Sequence, residues 1–122
     1  MGVVLTNKKT EVSIGYIGFG FIRQAIASAY SDKIGNLYEK LYSPLFKAYT
    51  EEENKYFDEH LPKCLDKFLF HSDCDGYLCS RDVKNIYKEL IKLKPIFERD
   101  VFKAKYGELL ELFSQGEKID FY

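Results

Sequence analysis

The chain has 122 residues, room for one compact domain and little more. Eighteen Lys and Arg against nineteen Asp and Glu leave a formal charge of −1, which excludes a protein built mainly to grip polymeric nucleic acid across a basic face. With 46% hydrophobic and 30% charged residues, and no apolar run near the roughly 20 residues of a membrane span, the composition is that of one folded domain over 1–122, neither disordered nor membrane-bound.

Val3–Thr6 and Glu11–Ile14 are short β-favouring runs around the polar turn Asn7-Lys8-Lys9-Thr10, and they predict a small hairpin. Gly15, Gly18 and Gly20 read as a glycine turn. A helix is expected from Phe21 to Ala29, with Phe21, Ile22, Ala25, Ile26 and Ala29 on its apolar side and Arg23 and Gln24 opposite. Gly35 breaks the chain before a second helical stretch, Asn36–Tyr42, which Pro44 closes. Thr50-Glu51-Glu52-Glu53 is a capping box with acids in the first turn, the strongest helix start in the chain. The stripe Tyr56, Phe57, His60, Leu61, Cys64, Leu65, Phe68, Leu69 continues it, and Pro62 kinks or splits it. After the loop His71–Cys79, a helix opens at Ser80 or Arg81 and stops at Pro95. A last one covers roughly Asp100–Phe113, and Gly116 precedes Lys118–Tyr122, a tail or edge strand. The expected fold is mainly α of the α+β kind: a bundle of four to five helices with a small N-terminal β-hairpin. Three cysteines cannot form a complete disulfide framework, and the N-terminus lacks the charge order of a secretory signal, so a cytoplasmic protein is expected.

Two segments carry chemistry. Val12 to Ala27 has the outline of a dinucleotide fingerprint, strand then glycines then helix. Arg23 stands where a third small residue belongs, however, and no further βαβ unit follows. What the segment does offer is a glycine turn at Gly18 and Gly20 for an anion, Arg23 in the first turns, and Tyr16, Phe19 and Phe21 as faces for a base. The alternative is a tight turn with packed aromatics.

In the second segment, His71, Asp73, Asp75 and Asp82 fall on positions 1, 3, 5 and 12 of an EF-hand-like loop, with Gly76 at its turn. His replaces the first Asp and Asp82 the bidentate Glu, so Mg²⁺ or Ca²⁺ would be held weakly. Zinc on Cys64, His71, Cys74 and Cys79 is the other metal reading. The structural alternative has Asp73 and Asp75 making Asx turns, Gly76 adopting a positive φ and His71 ending the helix. Cys74 lies three residues from His71 without an orienting third group, which argues against a thiol enzyme.

The run Phe68-Leu69-Phe70-His71-Ser72-Asp73-Cys74-Asp75-Gly76, followed by Ile86-Tyr87, resembles a family of small uncharacterised phage- and prophage-encoded proteins that share a His-Ser-Asp-Cys-Asp-Gly motif. The resemblance is strongest over residues 57–93, and Gly15-Tyr16-Ile17-Gly18-Phe19 extends it. It implies a phage-type origin and a place in the host cytoplasm rather than a function; small phage proteins of this size are mostly accessory factors, many of which act by binding. On this reading the chain is a counter-defence factor that sequesters a nucleotide-like signalling ligand or inhibits a host defence protein. Arg23, Tyr16 and Phe19, with His71 and Arg81, would line the pocket, and the aromatic surplus would suit a homo-oligomer. A divalent-metal-binding module, or a small metal-dependent enzyme using His71, Asp73 and Asp75, is the alternative.

Overall fold

The computed structural model describes residues 2–122. The predicted hairpin is present as β1 (Gly2–Thr6) and β2 (Glu11–Gly15), antiparallel with Val3 opposite Ile14 and Leu5 opposite Val12. Alternate residues Val3, Leu5, Val12 and Ile14 face inward, the period of a half-buried sheet. Asn7 makes the turn, its Oδ1 accepting from the N–H groups of Lys9 and Thr10 at 2.9 and 2.7 Å, while Lys8 takes a φ of 75°.

The hairpin is half of a four-stranded antiparallel sheet ordered β2-β1-β4-β3, with β3 at Tyr77–Leu78 and β4 at Ile119–Phe121. The C-terminal tail is therefore an interior strand, paired with β1 through Leu5 and Phe121 and with β3 through Ile119 and Leu78. Three residues carry too little pattern to mark a central strand. It holds because both its edges are hydrogen-bonded and Ile119 and Phe121 are buried.

Among the described residues there are six α-helices, of which the first and last pack on the sheet: α1 (Tyr16–Tyr30), α2 (Asp32–Glu39), α3 (Glu51–His60), α4 (Lys63–Leu69), α5 (Ser80–Lys92) and α6 (Lys103–Ser114). The capping box of α3 forms in both directions, Glu53 N to Thr50 Oγ1 at 3.1 Å and Thr50 N to Glu53 Oε1 at 2.9 Å. Pro62 splits the long stripe, capping α4 after α3 has ended.

Gly35 is a finding against expectation. Rather than breaking the chain it sits inside α2, which starts at Asp32 behind the N-cap Ser31, whose Oγ accepts from Ile34 N at 3.0 Å. A Cβ on Gly35 would lie 2.3 Å from Ser28 Oγ and 3.0 Å from Ser28 Cα, so glycine lets α2 cross close over α1.

Aromatic residues both fill and tie the core. Phe19, Phe68 and Phe113 meet edge-to-face at 5.9 and 5.5 Å, and Phe97 stacks on Tyr106 at 3.9 Å. Buried and half-buried tyrosines place their hydroxyls on carbonyls left over at helix ends: Tyr38 on Leu69 at 2.7 Å, Tyr49 on Leu37 at 2.8 Å, and Tyr106 on Leu90.

Candidate functional site

Helix α1 begins at Tyr16, directly after the last residue of β2, so the expected glycine turn does not exist. Gly18 and Gly20 lie within the first turns of the helix, where they serve packing. A Cβ on Gly18 would come 3.2 Å from the Phe102 ring, and one on Gly20 would come 3.0 Å from the Tyr42 hydroxyl. The earlier start also rotates the assignment of faces. Phe21, expected in the core, is 58% exposed, and Arg23, expected in water, is 5% exposed among Phe19, Ile22 and Ile26.

The outward face of α1 forms one wall of a cavity of about 490 Å³, within the ~300–1,000 Å³ range of small-ligand sites. Tyr16, Ile17, Gly20, Phe21 and Gln24 supply that wall; Glu39, Tyr42 and Asp73 close the others. The lining is predominantly apolar, with three aromatic rings. Its polar groups are the Glu39 and Asp73 carboxylates, the Gln24 amide and the hydroxyls of Tyr16 and Tyr42. Gln24 donates its Nε2 to Gly35 O at 2.7 Å, which fixes the amide and leaves Oε1 buried without a donor. Gly20 is what allows the space, since a side chain there would press on Tyr42.

Arg23 stands behind this cavity. Its Nη1 donates to Asp73 Oδ1 at 2.9 Å, and the guanidinium lies 4.0 Å over the Phe19 ring and 5.7 Å from that of Phe68. Nε and Nη2 are buried and have no hydrogen-bond partner in the protein. A buried polar group left unpaired costs about 1–3 kcal/mol, and more when charged. The Tyr38 phenol is pushed well above its usual range by burial, against the opposing pull of Arg23, so it remains a neutral donor.

The His71–Asp82 loop does not gather its candidate ligands. Asp73 is taken by Arg23, and Asp75 Oδ1 accepts from the neighbouring Gly76 N at 2.8 Å. Asp82 pairs with Lys67 at 3.1 Å, which holds its carboxyl below the usual range. His71 stacks on Phe121 at 4.0 Å, with Nδ1 2.9 Å from Ser72 O and Nε2 3.1 Å from Tyr77 O. Among the described residues no three His, Cys, Asp or Glu side chains converge, so the residues of the expected Mg²⁺ or Ca²⁺ register, and those of the zinc reading, stand apart from one another in this structure. Cys64, Cys74 and Cys79 form no disulfide, and burial pushes the Cys64 thiol up. The loop folds as the structural alternative has it at Gly76, with φ at 81°.

Of the residues expected to line a ligand pocket, Tyr16 and Gly20 do so, and Arg23 is reached through Asp73. Phe19 lies beneath the guanidinium, Gly18 against Phe102, and His71 on the sheet beside a second, shallow groove over the loop. Arg81 is exposed on the first turn of α5, away from the cavity. Phe21, read from the sequence as a stacking face, lines it too, whereas Ile17, Gln24, Glu39 and Tyr42 were not foreseen. Placing the start of α1 at Tyr16 would have shown Tyr16, Gly20 and Gln24 on one stripe with Ile17 and Phe21 beside it. No family model, curated protein or solved structure matches this chain.

Proposed function

We propose that this chain is a non-catalytic binding protein of the phage accessory type, which sequesters a small nucleotide-like ligand in the α1 cavity and so acts in counter-defence. The observation that carries the reading is the joining, in one small cavity, of three aromatic side chains with the carboxylates of Glu39 and Asp73. A nucleobase has the complementary chemistry: two flat faces that stack on Tyr16, Phe21 or Tyr42, and an edge of N–H donors for Glu39. Stacking of this kind contributes about 1–3 kcal/mol per base. The His-Ser-Asp-Cys-Asp-Gly run at His71–Gly76 supports the phage-type part of the proposal.

Thermal unfolding with a panel of ribonucleosides, nucleotides and cyclic dinucleotides tests it. A ligand at a hundred times its Kd adds about 2.7 kcal/mol of stability, a shift that is easily measured. If no member of the panel raises the Tm, sequestration fails.

A second reading, capture of a host protein, draws on a different observation. Ile17 and Val101 are 79% and 90% exposed, and Phe21, stacked on Phe102 at 6.1 Å, adds to the apolar surface beside the cavity. Val101→Glu, outside the cavity lining, separates the two: a partner protein would be lost with nucleoside binding retained.

A further inference from the structure

Arg23 is an expensive residue for the fold to keep. Its side chain is 7% exposed, yet it has a single partner, one oxygen of Asp73, whose own side chain is 42% exposed. Asp73 comes from the loop between α4 and β3, fifty residues away in sequence, and its carboxylate lines the cavity. Nε and Nη2 of the guanidinium have no partner and are themselves buried, so Nη1, which Asp73 holds, is the part of the group reached from the cavity side. The fold thus holds a desolvated cation against aromatic rings and covers it, from the cavity side, with a monodentate acid on an exposed loop.

We infer that Asp73 is a built-in competitor for an acid group of the ligand, and that Arg23 is the phosphate-binding residue of the site. Binding exchanges one anion for another on the same cation. The Asp73 carboxylate leaves Nη1 and passes into water, for which its exposure suits it, and a ligand phosphate takes its place on Nη1. Charge at the guanidinium stays compensated throughout. Asp73 also acts as a filter, because an uncharged ligand gains nothing by displacing it. This inference rests on the nucleotide reading of the cavity and adds to it the group that recognises the phosphate.

The test is calorimetric titration of adenosine, guanosine and their 5′-monophosphates into the wild type, Asp73→Ala, Asp73→Asn and Arg23→Met. The quantity read is the ratio of monophosphate to nucleoside affinity. Asp73→Ala is expected to raise that ratio about tenfold, and Asp73→Asn, which keeps an acceptor but no charge, to raise it less. Arg23→Met is expected to bring the ratio to about one. Asn at 73 keeps the experiment decisive where Ala fails to fold, since it preserves the hydrogen bond. A ratio that stays at the wild-type value in both Asp73 variants while nucleosides bind overturns the exchange and leaves the cavity reading standing. Absence of any binding by nucleosides and monophosphates alike overturns both.

Discussion

Replacing Arg23 by Met is expected to make the protein more stable. Met follows the course of the arginine stem and brings no polar group into the core. The loss is one charge-assisted hydrogen bond to a half-exposed carboxylate, about 1 kcal/mol after solvent screening, and a cation–π contact of about 2 kcal/mol over Phe19. A thioether against the same ring recovers about 1 kcal/mol. The gain is relief of two buried, unpaired groups, Nε and Nη2, at about 1–3 kcal/mol each. The balance at the middle of that range is a stabilisation of about 2 kcal/mol, or a rise in Tm of about 8 °C for a domain of this size. Asp73 is left unpaired but exposed, so its charge is met by water. Urea unfolding followed by circular dichroism measures the change as a shift in midpoint at constant slope. Destabilisation by more than about 2 kcal/mol would refute the reasoning, because Arg23 and Asp73 would then be a structural tie between α1 and the loop.

Gly35→Ala is expected to cost about 1–3 kcal/mol in the same assay, since its Cβ would meet the Ser28 backbone where α1 and α2 cross. Thr50→Ala removes one arm of the capping box and is expected to cost about 1 kcal/mol. Asp66 supplies a pH dependence. Burial, then the nearby Asp58 charge, raise its carboxyl above the ordinary 3.8. The folded state therefore favours the protonated form, and this contribution is full below pH 3.8 and lost as pH rises through the folded value. Asp66→Asn is expected to stabilise the protein at pH 7 and to lose that advantage near pH 3, as read by paired melts at the two values. Mg²⁺, Ca²⁺ and Zn²⁺ are expected to leave the Tm unchanged, because Asp73, Asp75 and Asp82 are each engaged elsewhere; a saturable rise with any of them would reopen the loop as a metal site.

The helical content was legible because it rests on strong local signals: the Thr50 cap, the Tyr56–Leu69 stripe, and prolines at the boundaries. The hairpin was legible by alternation. What could not be read was long-range. Ile119–Phe121 becomes a central strand only because β1 and β3 present their edges to it. Gly18, Gly20 and Gly35 look like chain breakers in sequence, whereas their use is to let Phe102, Tyr42 and Ser28 approach. The site was half legible for the same reason. Tyr16, Gly20 and Arg23 stood out, but α1 starts at the end of β2 and so turns Arg23 inward and Phe21 outward. Asp73 was singled out as a metal ligand on the strength of its neighbours, and its partner proved to lie fifty residues upstream.

The most direct test of the central claim is a calorimetric titration of adenosine and guanosine 5′-monophosphates into the wild type and Gly20→Leu. Leucine favours the helix and projects into the cavity, and exposed Tyr42 can move aside, so the variant is expected to fold with an unchanged or higher Tm. The expected result is saturable binding at one site per chain in the wild type, lost in Gly20→Leu. Binding of equal strength in both proteins, or none in the wild type, would contradict a nucleotide site in the α1 cavity.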